Sequence, residues 1–201
     1  YNHNILSMAW QINDKWSTSA TAHYTHGRGY YDEFRYNNKL SKFGLSMTPD
    51  ADHSFAKRTD FVRKKGLSHD FYGIIMNANY KDTKWDIIGN VAVRQYSGNH
   101  YGYLTYIADK DVRDYYLNSN GEYHYYDSDA DKTDFSAFAK ATYHITPALD
   151  AFADIQYRYV KYTTDGVNDK FYENNDGSFT NQRLDINAKY NFFNPKVGIS
   201  F

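Results

Sequence analysis

Cysteine is absent from this 201-residue chain, so disulfides, thiolate nucleophiles and cysteine metal sites are excluded, while the compartment stays open. No apolar run approaches the roughly 18 residues that a spanning helix needs, which excludes a helical membrane protein but not a strand-built one. Excess charge is missing too. Lys and Arg number 23 against 24 Asp and Glu, for a net charge of -1, so no global basic field recruits nucleic acid. There is no G-x-S-x-G elbow, no H-E-x-x-H pair and no phosphate loop, and no enzymatic activity is expected. The chain opens at Tyr1 with neither an initiator Met nor a signal segment, which points to a mature form or a fragment.

What is present is alternation. From Asp70 to Ser97 two long strands flank the turn Asp82-Thr83-Lys84: Tyr72, Ile74, Met76, Ala78 and Tyr80 share one face of the first, and Trp85, Ile87, Gly89, Val91 and Val93 one face of the second. That is the period of a half-apolar strand. The pattern recurs from His3 to Thr25 around Asn13-Asp14-Lys15, and from Thr133 to Tyr162 around Thr146-Pro147-Ala148, with Leu6, Met8, Trp10, Ala137, Ala139 and Ile155 on the apolar faces. A last stretch sets Leu184 to Phe192 in one phase and Val197, Ile199 and Phe201 in the other, so a bulge or break is expected at Asn194-Pro195.

Strand length separates a membrane barrel from a soluble sandwich. Soluble strands run about 5 to 6 residues, whereas a tilted strand crossing a bilayer needs about 9 to 11, the length of these arms. The connections alternate as well: three short turns interleave with long polar connections over 26–69, 99–132 and 163–183. Tight periplasmic turns and long extracellular loops give this asymmetry in an outer-membrane barrel. Trp16 and Trp85 directly follow short turns, with Trp10, Tyr80 and Tyr143 close by, as a periplasmic aromatic girdle would have them. The mean hydropathy of -0.80 does not oppose this, because a barrel shows lipid only alternate residues. The expected fold class is all-β: an antiparallel transmembrane β-barrel, about seven strands of a larger one, with residues 1–201 in a single domain.

The segments HGRGYYDEF (26–34), DFVRKKGLSHDFYG (60–73), TDFSAFAKATYHITPALDAFADIQYRY (133–159) and NFFNPKVGISF (191–201) resemble TonB-dependent outer-membrane receptors of the Bacteroidetes type. Such receptors close about 22 strands around a plug. The resemblance implies a central barrel portion without the plug, from an active importer of a scarce nutrient: an iron chelate or siderophore, haem, cobalamin or a glycan. It implies TonB as a partner through the missing plug, a surface lipoprotein, outer-membrane lipid and lipopolysaccharide, and a Gram-negative outer-membrane location. Two alternatives stand beside it: a self-contained barrel of about eight strands acting as pore or adhesin, and a soluble glycan-binding β-sandwich.

Candidate ligand-binding residues flank the first long connection: His26, Arg28, Tyr30, Tyr31, Arg63, Lys64 and Lys65, able to hold an anionic chelate through charge-assisted hydrogen bonds and stacking. A solvated or lipopolysaccharide-facing role is the plainer reading of the same residues. Arg94, Lys140, Asp154 and Arg158 fall on polar faces and are candidates to line the lumen, contact a plug or pair with one another. Asp127, Asp129 and Asp131 alternate as in a calcium loop, without the Gly and Glu of an EF-hand. His53, His69, His100 and His124 lie in or beside long connections, with no spacing that singles out a haem ligand.

Overall fold

The computed structural model describes residues 1–201. Seven strands form one sheet, each paired antiparallel with the next in sequence: β1 Asn2–Gln11, β2 Trp16–Lys39, β3 Arg58–Lys81, β4 Trp85–Ile107, β5 Tyr123–Thr146, β6 Leu149–Glu173 and β7 Phe179–Ser200. β1 and β7 are not paired, so these strands do not close into a small barrel. With a single sheet, there is no sandwich either.

The short turns have a local cause. In the first, Asn13 Oδ1 accepts the backbone N–H groups of Lys15 and Trp16, each at 3.0 Å. In the second, Asp82 Oδ1 accepts those of Lys84 and Trp85, each at 2.8 Å. An Asx side chain that satisfies the turn's own amides turns the chain within a few residues. Asp82 Oδ2 also accepts from the Tyr80 hydroxyl at 2.6 Å. These bonds hold the Asp82 carboxyl below the ordinary range, the Tyr80 bond most of all.

Register then sorts the faces. Met8 pairs with Ala20, Ala20 with Met76, Met76 with Val91, Val91 with Ala137, Ala137 with Tyr157, and Tyr157 with Phe193. One uninterrupted apolar row therefore crosses all seven strands. Its side chains point outward into the surroundings: Met8 is 70% exposed and Met76 47%. The belt has aromatic borders. Trp16 lies opposite Tyr80 with ring centroids 5.0 Å apart, and Tyr24 opposite Tyr72, eight residues farther along β2. The intervening length matches the 9 to 11 residues of a spanning strand, and Trp85 over Tyr143 at 4.7 Å extends the turn-side border.

The strands do not stop at the upper border. β2 has 24 residues, roughly 80 Å at the usual rise, so more than half of it lies beyond the belt. This corrects the expected long connections. Most of 26–69, 99–132 and 163–183 is strand, and the true connections are 40–57, 108–122 and the five-residue turn 174–178. Polar residues there alternate as strictly as apolar ones below, but water on both faces leaves no hydropathy contrast for a sequence to show. The expected bulge at Asn194-Pro195 is also absent. Ile155 pairs with Pro195 and Gln156 with Asn194 in continuous register, which an edge strand such as β7 accommodates. The two phases of β7 thus lie on opposite faces, Val197 and Ile199 in the belt and Tyr190 and Phe192 on the polar face.

A core forms only at the upper end. Leu40, Phe61, Leu104, Ile107 and Val112 are fully buried, with Phe43 and Tyr125 nearly so. They come from a 3-10 turn, Leu40–Phe43, from helix α1, Lys110–Tyr116, and from the upper ends of β3, β4 and β5. The cluster packs on the polar face of the sheet, since Phe61 has the phase of Asn77. Gly44, at φ 72°, ends the 3-10 turn beneath the Phe171 ring, which approaches to 2.4 Å of where a Cβ would stand. Tyr116 Oη accepts from Ser46 N–H at 2.9 Å, and Ser46 Oγ donates to the Gly177 carbonyl at 3.0 Å. The three upper connections are thereby tied into one cap.

Candidate functional site

Alternation divides the residues that the sequence puts side by side. His26, Arg28, Tyr30 and Lys64 stand on the belt's face, above its border; Tyr31, Arg63 and Lys65 stand on the other, beneath the cap. The seven candidates therefore do not make one site. They make two surfaces, back to back.

On the belt's face, His26 Nδ1 lies 2.9 Å from Asp70 Oδ1, which also accepts from the Tyr24 hydroxyl at 2.7 Å. Lys64 sits 5.1 Å over the Tyr30 ring and 3.5 Å from Glu122. Arg28, Tyr30, Lys64, Asn99, Tyr101 and Asp127 border an open hollow of about 770 Å³. Tyr101 folds over Gly66 of the neighbouring strand, its ring 2.1 Å from a Cβ that glycine lacks; an aromatic covering a strand glycine restores the packing the glycine forgoes. Asp127, Asp129 and Asp131 are here too, on β5 and not in a loop. Asn99 donates to Asp127 at 2.5 Å and to Asp129 at 3.0 Å, and no three carboxylate or imidazole groups converge on a metal-sized gap.

On the polar face, Tyr31, Lys65, Leu67, His69, His100 and Tyr126 line a second hollow of about 610 Å³. Lys65 donates to Asp169 Oδ2 at 2.6 Å and lies 5.5 Å from the Tyr126 ring. Of the four histidines named above only His69 and His100 share this hollow. His53 is on the cap beside Asp50 and Tyr115, and His124 stacks on Tyr103 at 4.4 Å on the other face.

Arg63 is engaged by Glu33 through Nε at 2.8 Å and Nη2 at 2.6 Å, and Arg35 Nη1 reaches the second Glu33 oxygen at 2.6 Å. The Arg63 bond is the main reason the Glu33 carboxyl is held low, against a smaller opposing effect of burial. Burial raises the tyrosine hydroxyls around it, Tyr126 to about 12 and Tyr125 further, so all remain donors at neutral pH.

Lower on the polar face, Arg94, Lys140, Asp154 and Arg158 share a side, as their phase requires. Two are joined by a residue that sequence reading missed. Asp134, buried, accepts from Arg158 Nε at 3.0 Å and also from its Nη2, with Arg94 Nη1 at 3.9 Å from its other oxygen. Lys140 faces Asp154 across the β5–β6 ladder but rests its ammonium 5.1 Å from the Phe152 ring. Nothing local marks Asp134; only the β4–β5–β6 register brings it between two arginines.

No family model matches the chain, and no curated protein shows significant similarity to it. Solved structures do match, among them two forms of one receptor. The closed form of the ferric-catecholate import receptor Fiu from E. coli K12 superposes with a TM-score of 0.61 over 98% of this chain, at 14% sequence identity. The chain has the fold of part of a β-barrel wall. The open form of the same receptor gives a TM-score of 0.57, again over 98% of this chain and at 14% identity. The chain spans only 30% and 31% of the length of those two structures.

Proposed function

We propose that the chain forms part of the barrel wall of an outer-membrane active transporter, with its belt against lipid, its short turns toward the periplasm and its cap in the extracellular mouth. The belt carries this reading: an exposed apolar row across seven strands, bordered by aromatics at the spacing of a spanning strand, suits hydrocarbon. On this reading residues 1–201 lie in one barrel domain, and the remaining strands and a plug lie outside them. TonB acts through that plug, and the cargo is a scarce nutrient: an iron chelate, haem, cobalamin or a glycan. Likeness to a ferric-catecholate receptor puts the iron chelate first. The hollow bearing Tyr31, Lys65 and Tyr126 faces the mouth and is the surface suited to an anionic aromatic ligand. Arg28 and Lys64, above the belt on the outer face, are suited to lipopolysaccharide. A surface lipoprotein would dock on the cap. Calcium at Asp127, Asp129 and Asp131 has the least support, since Asn99 already donates to two of the three.

The test is purification of the native protein from outer membranes in detergent, with intact mass and identification of co-purified ligand. A mass several times 23.5 kDa with a bound chelate, haem or corrinoid is expected. A heat-modifiable, empty protein near 23.5 kDa would overturn the import reading.

A further inference from the structure

Between the 3-10 turn and the sheet lies a partly enclosed cavity of about 220 Å³, lined by Arg35, Asn38, Lys42, Arg63, Tyr125 and Asp169, with Phe43 as its apolar wall. Two of its polar atoms are buried without any hydrogen-bond partner: Arg35 Nε and Tyr125 Oη. Tyr125 is only 3% exposed. The first can only donate, and the second is free to. Buried donors in native proteins are almost always satisfied, and leaving them bare costs free energy, so these two call for an acceptor from outside the chain. Lys42 Nζ, at the rim, has no acceptor either.

The charge agrees with the donors. Arg35, Lys42, Arg63 and Lys65 are set against Glu33 and Asp169, an excess of two cations. Both carboxylates are already engaged, Glu33 by the two arginines and Asp169 by Lys65. The cavity is too small for a whole chelate, lying below the roughly 300–1,000 Å³ of pockets for drug-sized ligands. It has room for about seven waters at their liquid volume, or for one tetrahedral or planar oxyanion with part of its shell.

We propose that this cavity is a binding site for a single small oxyanion, a phosphate or carboxylate, held by Arg35, Lys42 and the Tyr125 hydroxyl. The site stands on the cavity and its donors and does not depend on the transport reading. The anion comes either as a free ion or as the acidic terminus of a larger molecule that enters by the cavity's open side.

The test is calorimetric titration of the full-length, detergent-purified protein with inorganic phosphate and with phenyl phosphate at low ionic strength. Saturable phosphate binding is expected, weakened about 10-fold by Lys42→Ala or Arg35→Gln and about 5-fold by Tyr125→Phe, in line with loss of one charge-assisted or one neutral hydrogen bond. Lys84→Gln, in the short turn at the other end of the sheet, leaves it unchanged. Lys42→Ala removes an exposed side chain and disturbs neither the core nor the Glu33 pairs, so its result does not hinge on refolding. Equal affinity for both probes supports the acidic terminus of a larger ligand, and selectivity for inorganic phosphate supports the free ion. No saturable binding at about 10 mM phosphate, or binding that Lys42→Ala and Tyr125→Phe leave intact, overturns the proposal.

Discussion

In the lower half of the sheet, Met76, Val91 and Ile155 stand on the open face, and the opposite face carries Asn77, Asn90, Asp134 and Arg158. In the upper half the apolar residues change sides: Phe61 and Leu104 share the phase of the lower polar residues, Ile107 joins them across the register shift at Val62/Arg63, and all three are fully buried beneath the cap. The same strands make both halves. The difference lies in what each face meets: the belt's side chains stand open, and the upper apolar residues pack against the chain's own connections. Apolar phase along one strand therefore reports two solvents in succession. Four of the five register shifts lie where the phase changes its meaning, between Arg35 and Asn38, at Val62/Arg63, at Gly102/Tyr103 and between Val167 and Phe171, the fifth being at the short turn, His144/Thr146, and bulges of this kind bend strands and re-aim side chains.

The sharpest break of this comparison is Phe61→Ala. The ring packs 4.6 Å from Phe43, and its loss should cost about 3–5 kcal/mol of cap stability, as for other buried aromatics. Hydrogen exchange over 40–57 and 108–122 should rise while the belt stays protected; a uniform loss of protection would mean that the halves are one cooperative unit. Next is Val91→Arg or Ile155→Arg. A charge facing mid-bilayer lipid should cost about 2–4 kcal/mol, seen as reduced folding into detergent or lipid with the cap unaffected. Unchanged folding of both variants would remove the lipid-facing assignment.

A smaller effect is expected at the N-terminus of α1, where Asp109 Oδ1 accepts from Asp111 and Val112 N–H at 3.0 and 3.2 Å. Asp109→Ala should cost about 1 kcal/mol, confined to protease sensitivity of 108–122. The mildest is acid. The Glu33 carboxyl is held low in the folded chain by Arg63, with burial opposing. The stability it lends is complete above the ordinary carboxyl value and is lost as pH falls through the lowered one. Protection of the upper half should therefore decline in acid, and Glu33→Gln should flatten that part of the profile.

The lower half was legible because each strand alternates between two unlike surroundings, and the turns carry their own Asx signals at Asn13 and Asp82. Arg94, Lys140, Asp154 and Arg158 were read onto the correct face for the same reason. The upper half was not. Arg28, Tyr30 and Lys64 read as one cluster with Tyr31, Arg63 and Lys65, but only because strand continuing beyond the belt looks like loop when both faces meet water. Arg35 and Tyr125 gave no signal apart from a run of tyrosines, since they meet only across strand pairing.

Period-2 patterning, aromatic borders and turn chemistry are local properties, so the sequence by itself determined an antiparallel sheet with one lipid-compatible face and its turn-side end. Which charges meet which, that the connections fold back as a cap, and that donors remain unsatisfied beneath it depend on contacts between residues up to 131 positions apart, such as Ser46 with Gly177. Those contacts were decided by the tertiary structure alone, because the energy of a hydrogen bond or an ion pair depends on separation in space and not along the chain.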